Sequence, residues 1–248
     1  MSVRCGDVQG WTGAWIQDKS CVQYETGIAN DDDLLLFRFR RMTERQARTN
    51  LHFAFAKEMT MQKELSEMTS EELWEVFPIF LVPHNDQWRE YYSEMKAVFL
   101  DLLSGYPVER ISHIGSTAIP GIWAKNIVDV MVEISKDADM EKAARILEQN
   151  GFIRMSSENG RISLNKGYTI DGFADKVYHI HLRYTGDNDE LYFRDYLIEH
   201  PQAAKEYEAL KLDLWKRYEH NRDAYTSAKT DFIRKHTAKA RMLYGKRY

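Results

Sequence analysis

The sequence predicts a mixed α/β (α+β) fold: one β-sheet flanked by helices, followed by a C-terminal helical region. Three observations predict it. Residues 111–134, ISHIGSTAIPGIWAKNIVDVMVEI, read as a strand, a Gly-Ser turn, a connecting segment and a second strand. Residues 86–103 carry Trp88, Tyr91, Tyr92, Met95, Val98, Phe99 and Leu102 at helical spacing. Residues 189–244 keep a helical pattern, with Pro201 suited to a first turn and Tyr207, Leu210, Leu214 and Tyr218 on one stripe.

The remaining elements follow in order. Thr69 and Glu72 form a capping-box pattern that opens a short helix ended by Pro78. Gly105 and Pro107 stop the helix of 86–103, and residues 110–114 form the strand entering the turn. After the strand of 127–134, residues 139–150 read as a helix closed by Gly151. Strands are expected at 152–155, 161–165 and 176–184. The organisation is one domain over 59–248, with a sheet part at about 78–187 and a helical tail at about 188–248. Residues 1–58 are an N-terminal extension of unassigned role, with strand character in WTGAWIQ and DDDLLLFRFRR and helical character at 43–57. Met59 and Met61 mark the junction, so the extension is either an addition or the product of an upstream start.

The 44% of hydrophobic residues and 12% of aromatic ones indicate a globular protein. No apolar run reaches the ~18 residues of a membrane span. Cys5 and Cys21 lack zinc spacing, which with the absence of a signal-peptide core makes a cytoplasmic location the expectation. The net charge of −4 is unevenly spread: residues 59–200 carry 14 Lys/Arg against 24 Asp/Glu, and residues 201–248 carry 12 against 6. A basic tail beside an acidic sheet suits a phosphorylated small molecule between them. A bulk nucleic-acid binder shows a wider basic excess, so nucleic acid is not the expected partner. Oligomeric state is not legible.

The chemistry concentrates in the second strand. Period-two alternation puts Val128, Val130, Val132 and Ile134 on one face and Asp129, Met131 and Glu133 on the other. Asp is depleted in strands, and a buried carboxylate is costly unless paired, hydrogen-bonded or metal-bound. Twelve residues earlier, Gly115, Ser116 and Thr117 follow the apolar Ile114. A glycine lets phosphate approach the backbone, and the hydroxyls and N–H groups after it donate to phosphate oxygens. This arrangement resembles the signature of the nucleotidyltransferase superfold. The resemblance implies Mg²⁺ (or Mn²⁺) held by carboxylates against the phosphates. One position departs: the second acid falls on Met131, and Glu133 lies one further step along the same face.

The strings HIGSTAIPGIWAKNIVDV, KGYTIDGFADKVYHIHLRY and FRDYLIEHPQAAKEYEALK together resemble the GrpB family, over about residues 61–244. That resemblance implies a nucleotidyltransferase-like fold and leaves the reaction poorly defined. Residues 176–184 place His179, His181 and Arg183 on one face, so a strand beside Asp129 would turn them towards it. Each has a phosphate-binding, metal-binding or proton-transfer reading. Asp175, at an acidic position of the family pattern, is the candidate general base, ahead of the loop residue Asp171. His179 and His181 are the alternatives. Lys125 and His113 flank the turn, Lys166 faces it, and Lys211, Tyr225 and Lys229 fall at positions the family pattern uses. Tyr225 and Lys229 share a helical face.

Two functions follow as expectations. The first is a Mg-dependent nucleotidyltransferase moving a nucleotidyl group from an NTP to a hydroxyl or amine. Asp129 and Glu133 would hold the metal, and Asp129, Asp175, His179 and His181 would be catalytic. His113, Gly115, Ser116, Thr117, Lys125, Arg183, Lys211, Tyr225 and Lys229 would bind the nucleotide and its phosphates. The second is a non-catalytic nucleotide or phosphometabolite-binding protein with a degenerate site, motivated by Met131.

Overall fold

The computed structural model describes residues 20–28, 35–43 and 65–248. The chain divides into two compact units, Met1–Gln62 and Lys63–Tyr248. In the first, β1 (Ser20–Ile28) and β2 (Leu35–Thr43) pair antiparallel, Ser20 opposite Thr43 and Ile28 opposite Leu35. β2 lies where DDDLLLFRFRR shows strand character, and β1 was not anticipated. WTGAWIQ and, past Thr43, the helix of 43–57 lie outside the described residues.

The second unit is built on a five-stranded sheet of order β3-β4-β7-β6-β5. Its strands are β3 (Val108–Ile114), β4 (Val128–Ile134), β5 (Ile153–Glu158), β6 (Arg161–Thr169) and β7 (Gly172–Tyr184). The β4–β7 pair is parallel and the other pairs are antiparallel. Before the sheet come α1 (Ser70–Val76) and α2 (Gln87–Leu102), and α3 (Met140–Glu148) follows β4. The tail is α4 (Asp189–Glu199), α5 (Pro201–Tyr218), α6 (Arg222–Ser227) and α7 (Thr230–Tyr244). Among the described residues no helix is long and apolar enough to cross a membrane.

Local chemistry sets these limits. Glu72 N–H donates to Thr69 Oγ1 at 3.3 Å and Thr69 N–H to Glu72 Oε2 at 2.7 Å, which closes the capping box of α1. Asp139 caps α3 through Lys142 N–H at 3.0 Å. Val128, Val130, Val132 and Ile134 bury one face of β4 in the core that Trp88, Met95 and Phe99 of α2 share with Ala143, Ala144 and Leu147 of α3. Each buried aliphatic of this row contributes about 1.5–3 kcal/mol, so a one-residue slip of β4 is prohibitive.

One boundary changes the reading of a site residue. β7 begins at Gly172 rather than near 176, because a tight hairpin pairs Thr169 with Gly172 and Tyr168 with Phe173. Asp175, expected in a loop, is therefore an exposed residue inside β7.

The register lays three rows across the face that bears Asp129. Ile114, Asp129, His179 and Asn165 form the first; Ser112, Met131, His181 and Ser163 the second; Arg110, Glu133, Arg183 and Arg161 the third.

Candidate functional site

The first row meets the Gly-Ser turn. Gly115 has φ 70°, and the carboxylate of Asp129 lies directly on its Cα: a Cβ there would collide with Oδ2 and come within 2.8 Å of Cγ. Only glycine satisfies both the left-handed backbone and this approach. Behind the turn, Thr117 is buried and its Oγ1 is 3.0 Å from His113 Nε2. His113 pairs with Val130 on the opposite face of the sheet and stacks on Tyr92, with ring centroids 4.9 Å apart. Burial pushes its imidazole down to about 4, against the pull of Asp129. His113 and Thr117 hold the turn from behind, away from the open side of Asp129.

Two histidines converge on one oxygen of Asp129. His181 Nε2 is 3.2 Å and His179 Nδ1 3.4 Å from Oδ1. Partners on the far ring atoms assign the tautomers. Arg183 Nη2 donates to His181 Nδ1 at 3.4 Å, so His181 Nε2–H faces the carboxylate. Arg222 Nη1 donates to the Tyr168 hydroxyl at 3.0 Å, and that hydroxyl donates to His179 Nε2 at 2.7 Å, so His179 Nδ1–H faces the carboxylate. Burial pushes the Asp129 carboxyl up, but the hydrogen bonds of His179 and His181 outweigh it and hold it below the usual carboxylate range. Burial lowers His179 despite Asp129. The row thus holds an ionised carboxylate beside a neutral imidazole.

Opposite stands a group of cations, Lys211 buried and Lys125, Lys229 and Arg222 half-buried. Lys211, 2% exposed, donates to the carbonyl of Trp123 and lies 5.0 Å from the Tyr207 ring. Lys229 and Lys125 lie 4.1 and 5.8 Å from the ring of Tyr225, itself buried. Burial, then mutual repulsion, lowers Lys229 to about 7; burial, then Arg222, lowers Lys125 to about 8. Burial lowers Lys211 to about 7, against the pull of Glu208. Asp129 pulls back on Lys125 and Lys229. Arg222 spends one N–H on Tyr168, while its buried Nε and Nη2 have no partner. Such atoms are costly in a folded protein. Tyr207 completes the wall: burial raises its phenol, and a hydrogen bond with Ser116 opposes the rise.

The structure brings Gly115, Ser116, Asp129, His179, His181, Lys125, Lys211, Tyr225 and Lys229 together, sets His113 and Thr117 behind the turn, and leaves Glu133, Arg183, Asp175 and Lys166 outside. Glu133 is fully buried, bound by Arg110 Nε at 2.5 Å and Nη2 at 3.2 Å, with the amide of Asn188 at 3.2 Å. Its carboxylate is spent, so it does not join Asp129 in holding a metal. Arg183 donates to the carbonyls of Leu182 and Ile162 and to His181, so it positions that histidine rather than facing a phosphate. Asp175 is exposed in the irregular stretch of β7 between Phe173 and Tyr178, and among the described residues no contact joins it to Asp129, so it does not stand as the base there. Lys166 donates to the carbonyl of Asn150 and covers the ring of Phe152.

The donor set decides which metal arrangement fits. Among the described residues no group of three or more His, Cys, Asp and Glu side chains is arranged to hold a metal ion. Met131 is buried at the second-acid position. The residues fit a single divalent ion shared between Asp129 and ligand phosphates, as Mg²⁺ commonly binds, and do not fit a metal pair.

Sequence reasoning missed Tyr168, Tyr207 and Arg222. Arg222, Tyr225 and Lys229 stand at i, i+3 and i+7, a helical-face signal that was available. Tyr168 was not readable, because a register shift between Lys166 and Tyr168, with Gly167 at φ 88°, re-aims it.

Comparison with known proteins places this architecture among relatives. The family model described as GrpB protein matches residues 78–239. A glutamate-rich protein GrpB of Alkalihalophilus pseudofirmus is 33% identical over 164 residues, covering 62% of this chain and 91% of the relative. The crystal structure of conserved protein GrpB from Enterococcus faecalis superposes with a TM-score of 0.58 at 27% identity, over 66% of this chain and 99% of that one. A structure of the Cid1 poly(U) polymerase with Mg and 3'-dATP has a TM-score of 0.41 at 12% identity, over 64% of this chain and 51% of that one. That likeness is too remote to bear on chemistry.

Proposed function

The chain belongs to the GrpB protein family, and from its site we propose that it binds a nucleoside triphosphate and transfers the nucleotidyl group to a hydroxyl or amine acceptor. The observation that carries this reading is the charge around Asp129: the half-buried Lys125 and Lys229 act on one carboxylate, with the buried Lys211 behind them and an arginine, Arg222, whose Nε and Nη2 have no partner. Buried cations are costly unless paired, so the missing partner is a polyanion. The turn at Gly115 sets the Asp129 carboxylate against the backbone, and Ser116 supplies a hydroxyl beside it.

In this reading the triphosphate lies between the turn and the cations. Lys125, Lys229 and Arg222 orient it and offset the charge that grows on the leaving pyrophosphate. Lys211 adds to that field from behind. One Mg²⁺ (or Mn²⁺), held by Asp129, would supply further charge neutralisation beside that of the lysines. With Asp175 out of contact with Asp129, His179 is the base. Its Nε2, once released by the Tyr168 hydroxyl, accepts the acceptor's proton as the new bond to phosphorus forms and the bond to pyrophosphate breaks. Arg183 and Tyr168 hold the two histidines in the tautomers this requires.

The reading is tested by a thermal-shift screen of nucleoside triphosphates with and without Mg²⁺ or Mn²⁺, on wild type and Asp129→Asn, followed by a pyrophosphate-release assay. A triphosphate at 100 times its Kd stabilises by about 2.7 kcal/mol. A metal-dependent shift lost in Asp129→Asn, with pyrophosphate release from wild type, supports transfer. Met131 and the closed Glu133–Arg110 pair favour a second reading, a non-catalytic nucleotide or phosphometabolite binder. Binding indifferent to metal and to Asp129→Asn, without turnover, selects it; no shift with any triphosphate sinks both.

A further inference from the structure

A cleft of about 300 Å³ is lined in part by Lys125, and the reaction just described assigns it no occupant. It is lined by Phe80, Lys125, Asn126, Phe173, Asp175 and Val177 among others. Phe80 is 37% exposed, and its ring meets Phe173 edge-on with centroids 6.1 Å apart. Phe173 continues to Tyr168 at 5.2 Å, and Tyr168 lies against His179 at 6.0 Å, so an aromatic wall runs from the reacting centre into the cleft. Two polar groups break the apolar lining. Asn126 Oδ1 accepts from Trp88 Nε1 at 2.7 Å, which fixes the amide and leaves its N–H groups for the cleft. Asp175 is exposed and forms no ion pair among the described residues.

We propose that this cleft takes the nucleobase of the bound nucleotide and favours a base with an exocyclic amine. The proposal rests on the nucleotide reading above and adds the ligand's other half. Tyr225, expected from the sequence to bind the nucleotide, is 1% exposed and already has Lys229 and Lys125 within 4.1 and 5.8 Å of its ring, so it offers no open face. Phe80 and Phe173 do, and the volume accommodates a purine or pyrimidine. Lys125 lines the cleft and also couples to Asp129 and Arg222, so phosphates at the cations and a ring at Phe80 belong to one molecule spanning it. Asp175 accepts an N–H and Asn126 donates one. That pairing matches the amine and adjacent acceptor of adenine, cytosine or guanine, and it penalises a carbonyl in the amine's place. A site built to hydrogen-bond a group rejects the analogue lacking it, because its own polar atoms are then left unpaired.

The test is calorimetric titration of the full chain with inorganic tripolyphosphate, ATP, ITP, CTP and UTP, on wild type, Phe80→Ala and Asp175→Asn. Both substitutions are at exposed positions, so folding is not at stake. The expected result is that ATP and CTP bind at least about tenfold tighter than tripolyphosphate and about fivefold tighter than ITP and UTP. Phe80→Ala should erase the gain over tripolyphosphate, Asp175→Asn should level ATP with ITP, and tripolyphosphate should bind all three proteins alike. Tight tripolyphosphate binding with no gain from any base, or a gain untouched by both substitutions, overturns the base site while the phosphate site stands. Failure of tripolyphosphate and nucleotides alike overturns both.

Discussion

Asp129 and Glu133 lie on the same face of the same strand, four residues apart, yet the protein treats them in opposite ways. Glu133 is wholly buried and its oxygens are met by Arg110, Asn188 and the N–H of Gly186. The ring of Tyr248 covers Arg110 at 4.8 Å, which seals the pair. Asp129 keeps one oxygen on two histidines and the other at the mouth of the turn, where it is the anion shared by Lys125 and Lys229. A closed network fixes structure; an open one with excess charge is arranged for something that arrives. The difference teaches that carboxylate spacing on a strand face does not by itself define a metal site. What the neighbouring strand supplies decides it: β3 supplies Arg110 opposite Glu133 but only Ile114 opposite Asp129.

The largest expected effect separates the two acids by stability. Arg110→Ala strands a buried carboxylate and should cost about 3–5 kcal/mol in urea unfolding. Asp129→Asn keeps an acceptor for both histidines and should cost about 1 kcal/mol. Equal losses would dissolve the distinction. Ligand-induced shifts should show the reverse order, retained in Arg110→Ala at a temperature where it is folded and reduced in Asp129→Asn.

A second contrast is in pH. With Lys211 and Lys229 near 7 and Lys125 near 8, these amines lose their protons well below the 10.5 of an unfolded chain. Between about pH 7 and 10.5 the unfolded chain therefore holds protons that the folded one lacks. Stability of the free protein should rise with pH through that window and level off below about 7, where both states hold the protons. Binding of tripolyphosphate should run the other way, weakening by about tenfold per pH unit for each lysine that has to be recharged. Titrations at pH 6 and pH 9 check the sign; affinity flat across that range would mean that the lysines are not the phosphate's partners. Lys229→Met sharpens the point, because it removes a half-buried, largely desolvated charge from an unliganded site. It should raise the melting temperature of the free protein by about 2–4 °C and diminish the tripolyphosphate shift.

Much of this was legible in the sequence, for reasons that differ by residue. Asp129 was visible because an acid in an apolar strand contradicts its surroundings, and Gly115 because the turn before it has few alternatives. His179 and His181 were visible by alternation, given a neighbouring strand that the sequence suggested and the register confirms. The fates of Glu133 and Arg183 were not, because the partners that claim them, Arg110 and the carbonyls of Ile162 and Leu182, depend on strand order and side-chain reach. Asp175 was misplaced because hairpin geometry at Gly172 lengthens β7. Lys125, Lys211 and Lys229 were expected to bind phosphate, but the burial of Lys211 and the half-buried state of the other two depend on packing that the sequence does not show.

The smallest expected effect probes how Asp129 is held open. Tyr168 stands between Arg222 and His179, accepting from one and donating to the other. Tyr168→Phe keeps the ring against Phe77 and Phe173 and removes only the hydroxyl. The lost hydrogen bonds should cost about 0.5–1.5 kcal/mol of stability, near the limit of a denaturation assay. The more telling readout is the His179 imidazole. Without a donor on Nε2 the ring has no fixed tautomer, and its Nδ1–H no longer has to face Asp129. Nitrogen chemical shifts of a ¹⁵N-histidine sample should then show a mixture at His179 and an unchanged His181, whose tautomer is set by Arg183. If His179 keeps its tautomer without Tyr168, the carboxylate alone orients it, and the relay from Arg222 ends at the tyrosine.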